Sequence, residues 1–155
     1  MTILAAILIA ALPPYQATVI SVHDGDTVIV KTGDGPTTNV THIRLSGIDA
    51  PELKQPFGQA SKQALSDLVF GKVVEVIPNG AETYERQVGL IKLNGEDICL
   101  KMVANGNAWW YTQYAKHDMQ LAKAKADKLG IWKGNPQPPW EFRRTRGNTK
   151  KETAK

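Results

Sequence analysis

The sequence predicts an α+β domain, a small five-stranded β-barrel with three packed α-helices, on three observations. Three β-branched runs fill the first third of the chain; a helix-spaced segment follows them; two further strand runs then lead into two more helical segments. In order, "ATVISVHDGDTVIVKTGDG" reads as two strands broken at Asp24-Gly25, where Asp and Gly supply the turn. "TNVTHIRLSGI" is a third strand after a Gly-Asp-Gly-Pro turn. The period then changes. In "FGQASKQALSDLVFG" Phe57, Ala60, Ala64, Leu65, Leu68 and Val69 follow helical spacing, with Gly71 placed to end the helix. "KVVEVIP" is a fourth strand closed by proline, and "QVGLIKL" a fifth. Asp97 in the turn "NGED" is a predicted N-cap for a helix through Val103, ended at Asn105-Gly106. A last helix is predicted from near Asp118, carrying Leu121, Ala122, Ala124, Lys125 and Leu129 before Gly130. Five strands with a helix bridging the third and fourth are the pattern of the OB-fold, whose barrel face commonly binds oligonucleotides or oligosaccharides.

The bulk properties fit one domain. A chain of 155 residues, 42% hydrophobic and 22% charged, can bury one core and is not compositionally disordered. The net charge of +4 and pI near 9.2 are compatible with simple solubility or with attraction to a polyanion. Arg143, Arg144, Arg146, Lys150, Lys151 and Lys155 crowd a nearly apolar-free end, so residues 141–155 are expected to form a basic, disordered tail. At the other end "ILAAILIAAL" is too short to span a bilayer, which takes about 20 residues. Its length suits the apolar region of a secretory signal, with Ala10 or Ala11 near a cleavage point, although no Lys or Arg precedes it. The expected organisation is a signal peptide or disordered N-terminus over residues 1–16, an OB-fold domain over 17–140, and the tail. Secretion or periplasmic export, a monomeric state and no membrane attachment of the mature form follow as expectations.

Cys99 is the one cysteine, so there is no internal disulfide and no zinc pair; its apolar surroundings read as a buried small side chain. His23, His42 and His117 lack ligand spacing. The chemistry lies elsewhere. Asp26 and Asp49 each fall where a strand meets a turn, on neighbouring strands of such a barrel. Brought together they repel, unless a hard cation such as Ca²⁺ or Mg²⁺ sits between them. The competing reading is two solvated turn aspartates. Arg44 and Arg86 could each grip two oxygens of a phosphodiester and favour its pentacoordinate transition state. Alternatively they are surface partners of Glu52, Glu82 or Glu85. Glu52, held by the stiff Ala50-Pro51 turn, could orient or deprotonate a water.

Three segments, "DGDT", "IRLSGIDAPE" and "YERQVG", together resemble the signature motifs of the staphylococcal (micrococcal) nuclease family, or thermonucleases. They stand in the family's order and at compatible spacing; "NGNAWWYTQYA" and "KLGIW" are similar to its later segments. The similarity runs from about Ala17 to Trp132, and the second motif is the most specific. The resemblance implies that Asp26 and Asp49 match two Ca²⁺-ligating aspartates. It implies that Ala50 replaces a threonine that ligates through its backbone carbonyl. Glu52 matches the glutamate usually assigned as general base, and Arg44 and Arg86 the two phosphate-binding arginines. The implied reaction is Ca²⁺-dependent hydrolysis of DNA and RNA that breaks the P–O5′ bond and leaves 3′-phosphates. Tyr84 and Tyr111 match positions that contact substrate bases, by stacking or hydrogen bonding. One position departs: Glu85 stands where the family has glycine, which restricts the backbone and adds a negative charge. Trp109, Trp110 and Trp132 read as core. The rival is a non-catalytic nucleic-acid-binding module on the same barrel, which would not need Asp26, Arg44, Asp49, Glu52 and Arg86 all together.

Overall fold

The computed structural model describes residues 12–83, 85–111 and 118–152. Strands β1 (Tyr15–Asp24), β2 (Thr27–Thr32) and β3 (Asn39–Leu45) form an antiparallel meander. The two-residue strand β4 (Ile48–Asp49) and helix α1 (Gly58–Val69) follow. Next come the hairpin β5 (Val73–Thr83) and β6 (Arg86–Leu93), the short β7 (Glu96–Asp97), and helix α2 (Ile98–Ala104). The chain continues with β8 (Trp109–Trp110), α3 (Asp118–Ala126) and α4 (Pro139–Glu152). Sheet order is β3-β2-β1-β5-β6-β7, and β3 also pairs in parallel with β6. That last pairing joins the two edges, so five strands close into a barrel and none is left as an open template. Register irregularities in β1, between Val19 and Ser21 and between Val22 and Asp24, supply the bending that closure requires.

The core follows from strand alternation. Ala17, Val19 and Val22 of β1, Val28 and Val30 of β2, Ile43 and Leu45 of β3, and Val74 and Val76 of β5 all point inward and are buried. Helix α1 closes one end with Gly58, Ser61, Leu65 and Val69, a spacing that lines up one face. Helix α2 starts where the sequence predicts, because the Asp97 carboxylate accepts the Leu100 amide at 3.0 Å. It adds Ile98, Met102 and Val103 to the core.

The closed five-stranded α+β barrel agrees with the sequence reading. Three details differ. The fourth predicted strand does not stop at Pro78 but runs on to Thr83, with an irregular register between Pro78 and Glu82 that absorbs the proline. Strand β1 begins at Tyr15, two residues before the expected start of the domain at residue 17. The expected disordered tail is a correction: from Pro139 to Glu152 the chain is helical, so the described residues form four α-helices rather than three. Pro139 opens the helix at the position where a missing N–H costs nothing. The apolar run expected to be a signal peptide, up to residue 11, lies outside the described residues, as do Tyr84 and His117. Among the described residues no helix is long and apolar enough to cross a membrane.

Candidate active site

The turn that joins β1 to β2 places the first carboxylate. Asp24 accepts the Asp26 amide at 3.1 Å, fixing the loop, and Gly25 packs it down. A Cβ at Gly25 would collide with the Ser61 hydroxyl and stand 2.6 Å from the Ala50 Cβ, so this turn presses against α1 and against the loop after β4. Asp26 is consequently 6% exposed. One of its oxygens accepts the Ala50 amide at 2.8 Å and the other the Thr27 hydroxyl at 3.1 Å. Burial pushes its carboxyl up to about 7; Arg44 opposes that rise, Asp24 and Asp49 add to it, and the Ala50 amide also opposes it.

Asp49 ends β4, which pairs with β8, and is 2% exposed. Arg44 on β3 reaches both carboxylates with one nitrogen: its Nη2 stands 3.2 Å from Asp26 and 3.4 Å from Asp49. Its Nη1 donates to the Leu45 and Ile48 carbonyls at 2.9 and 3.0 Å. The guanidinium is therefore fixed at four points. Two like charges out of water are tolerable only with a cation between them, and here a guanidinium nitrogen supplies it. The all-oxygen donors at this point, without His or Cys, suit a hard divalent ion. Among the described residues no group of three His, Cys, Asp or Glu side chains has metal-binding spacing, so an ion here would complete its shell with carbonyls, such as that of Ala50, or water.

Arg86 opens β6, directly after the hairpin turn that contains Glu85. Its Nη1 stands 3.5 Å from the Thr27 hydroxyl, which itself bonds Asp26. Glu52 lies one turn of chain beyond Asp49, with its amide donating to the Gln55 side chain at 3.1 Å and its carbonyl accepting the Gln55 amide at 2.8 Å. The α1 N-terminus backs onto this loop so closely that a Cβ at Gly58 would overlap the Glu52 carbonyl. Asp26, Arg44, Asp49, Glu52 and Arg86 thus share one face of the barrel. Tyr111 is 43% exposed and stacks edge-on against Trp140 with centroids 6.2 Å apart. Trp109 and Trp110 are buried, and Trp132 packs edge-on against Trp109 at 5.3 Å. Cys99 is buried, and burial pushes its thiol up to about 12, which removes it as a nucleophile at neutral pH.

One residue of the site escaped sequence reasoning. Arg143, assigned to the tail, donates from Nη2 to Asp49 at 2.8 Å and from Nη1 to Asp49 at 3.1 Å and Glu52 at 2.8 Å. The signal was present in "PPWEFRR": Trp140 and Arg143 lie three apart, on one face of any helix that starts at Pro139. A cavity of about 430 Å³ lies to one side, lined by Gln55, Phe57, Ile131, Asn135 and Gln137 among others; none of the clustered charges lines it. The clustered charges therefore lie outside that cavity.

The family model described as staphylococcal nuclease homologue matches residues 42–134. This chain belongs to the staphylococcal nuclease family. Within that family it is 32% identical to a micrococcal nuclease of Shigella flexneri, over 93% of this chain and 91% of the relative. It is 38% identical to an uncharacterized endonuclease of Haemophilus influenzae, over 81% of this chain and 71% of the relative. A probable staphylococcal-like nuclease of Oryza sativa is 37% identical over 83% of this chain. The aligned part spans only 35% of that plant protein. The chain thus spans most of the two bacterial relatives and about a third of the plant one.

Proposed function

We propose that this chain is a metal-dependent nuclease that hydrolyses phosphodiester bonds of DNA and RNA without regard to the sugar, with Ca²⁺ as its ion and 3′-phosphates among its products. The observation that carries the reading is the pair of buried carboxylates, Asp26 and Asp49, held on one guanidinium with Glu52 and Arg86 beside them. A binding module has no use for two desolvated acids at its ligand face, since they repel a polyanion. Family membership and nuclease-named relatives support the same reaction class.

The residues divide the work. Asp26, Asp49 and the Ala50 carbonyl would hold the ion, which when bound neutralises charge on the phosphate and polarises the phosphorus centre. Arg44 and Arg86 lie where they can bind the non-bridging oxygens, whose charge grows as water adds; stabilisation there lowers the barrier because it exceeds that in the ground state. Two N–H groups of Arg44 are committed to carbonyls, so the Nη2 pair now on the carboxylates is the one available to phosphate. Glu52 is 39% exposed at its side chain and can reach solvent. It takes a proton from the attacking water as the new O–P bond forms. The P–O5′ bond then breaks, the leaving 5′ oxygen takes a proton from solvent water, and the phosphate remains on the 3′ side. Tyr111 is exposed, and we assign it and Tyr84 to contacts with substrate bases. The apolar run at residues 3–12 carries the proposal of export, which sequencing the mature N-terminus of secreted protein would check.

The test is digestion of plasmid DNA and of RNA in parallel with Ca²⁺, with Mg²⁺ and with chelator, followed by end-group analysis. The expected result is cleavage of both polymers with Ca²⁺, loss of cleavage with chelator, and 3′-phosphate ends. Retarded migration without cleavage in every lane would instead identify a binding module.

A further inference from the structure

Arg143 is foreign to the local motifs that build the site, yet it touches two of their carboxylates. Three features bring it there. Pro139 is buried, and Trp140 packs edge-on against Trp109 of β8 and Tyr111, with centroids 6.4 and 6.2 Å apart. Since β8 is the pairing partner of β4, the helix is seated on the same short sheet that presents Asp49. Buried Gln55 donates its side-chain amide to the Gln137 carbonyl just ahead of α4, while its side-chain oxygen accepts the Glu52 amide. The helix is thus tied to both ends of the Asp49–Glu52 segment. From there the Arg143 guanidinium takes both oxygens of Asp49 and one of Glu52. These bonds, those to Asp49 foremost, hold the Arg143 charge even more firmly than usual.

We propose that Arg143 is a positioning residue of this site: its planar fork fixes the Glu52 carboxylate relative to the Asp49 carboxylate. A flexible glutamate must otherwise be ordered at each turnover, and holding it in a productive orientation is a direct contribution to rate. Lysine, with one rotatable ammonium, reproduces the charge but not the two-acid geometry. Arg143 need not touch substrate in this role; it acts through Glu52. The inference rests on the nuclease reading above and adds to it a third arginine, supplied by the C-terminal helix.

The experiment is a double-mutant cycle of Arg143→Ala and Glu52→Ala, with Arg143→Lys beside it, read by kcat and KM on DNA in saturating Ca²⁺. Calorimetry with Ca²⁺ alone gives ion affinity, and melting curves of the metal-free proteins check folding. Arg143→Ala should lower kcat by roughly 30-fold with KM within about threefold, and by under about threefold in the Glu52→Ala background. Arg143→Lys should recover part of the loss. If Arg143→Ala does not fold, Arg143→Lys carries the test, with a kcat about tenfold below the parent expected. A parental kcat in either folded variant overturns the role, as does an equal loss in the Glu52→Ala background. A rise in KM alone would make Arg143 a phosphate contact instead. A faster enzyme with tighter Ca²⁺ binding would make it a plug, and either result contradicts positioning. No cleavage by the parent itself would overturn the nuclease reading. Cleavage by Glu52→Ala at the parental rate removes Glu52 as base and the positioning role with it; a dead Glu52→Ala beside an unimpaired Arg143→Ala removes only the positioning role.

Discussion

Glu85 sits with φ +60° just before β6, a left-handed conformation that an L side chain adopts at a cost of roughly 1–2 kcal/mol. Glycine, which the family resemblance places there, adopts it freely, although glycine loses more freedom on folding and gives part of that gain back. Arg86 immediately follows and opens β6. Glu85→Gly should therefore raise the melting temperature by about 2–4 °C, a gain of roughly 0.5–1 kcal/mol. It should also lower KM for DNA, because an exposed carboxylate leaves the neighbourhood of Arg86. Thermal unfolding and steady-state kinetics check both; a lower melting temperature would show that the Glu85 side chain contributes contacts that offset its backbone strain. At the same scale, Asp26 was legible as a turn aspartate but its burial was not. That burial depends on Gly25, whose missing Cβ lets the turn meet Ser61 and Ala50 from elements far along the chain.

The elements differ in how openly the sequence declares them. α1 and the strands of the barrel carry their own periodicity, and Asp97 caps α2 with its own side chain, so local patterns suffice. β4 and β8 are two residues each and exist only because Ile48 and Asp49 pair with Trp110 and Trp109, a contact no local pattern announces. α4 was misread for a related reason. Its composition is that of a solvated tail, and what orders it is the docking of Trp140 on aromatic rings about thirty positions earlier. Edge-on aromatic pairs contribute about 0.5–1.5 kcal/mol each beyond burial, enough to seat a polar helix but not to stabilise the barrel as a whole. Trp140→Ala should therefore undock α4 with a small drop in melting temperature, of a few degrees, and lower kcat about as much as Arg143→Ala. A parental kcat in this variant, measured on DNA with saturating Ca²⁺, would show that α4 does not need this anchor to deliver its arginine.

On the scale of the whole molecule, the barrel is a scaffold that brings three separate stretches of chain to one face. The β1–β2 turn supplies Asp26, the β3–β4 region Arg44, Asp49 and Glu52, and the start of β6 Arg86. Closure through the parallel pairing of Arg44 with Val88 and Leu45 with Gly89 puts the second stretch beside the third. Each stretch is a short motif readable in isolation, so the five clustered residues Asp26, Arg44, Asp49, Glu52 and Arg86 are legible in the sequence. Arg143 arrives from 91 positions beyond Glu52, through a helix whose placement is entirely tertiary. The molecule is mildly cationic, and among the described residues the buried acids, Asp26 and Asp49, both lie on this face, where Arg44 compensates them. The most direct measurement is the single-turnover rate of DNA cleavage by the parent and by Glu52→Ala, both with saturating Ca²⁺ and with intact folding verified by melting. A fall of about 10²- to 10⁴-fold is expected for loss of the base, while substrate affinity is largely kept. Cleavage by Glu52→Ala at the parental rate would mean that this face of the barrel does not carry the chemistry assigned to it.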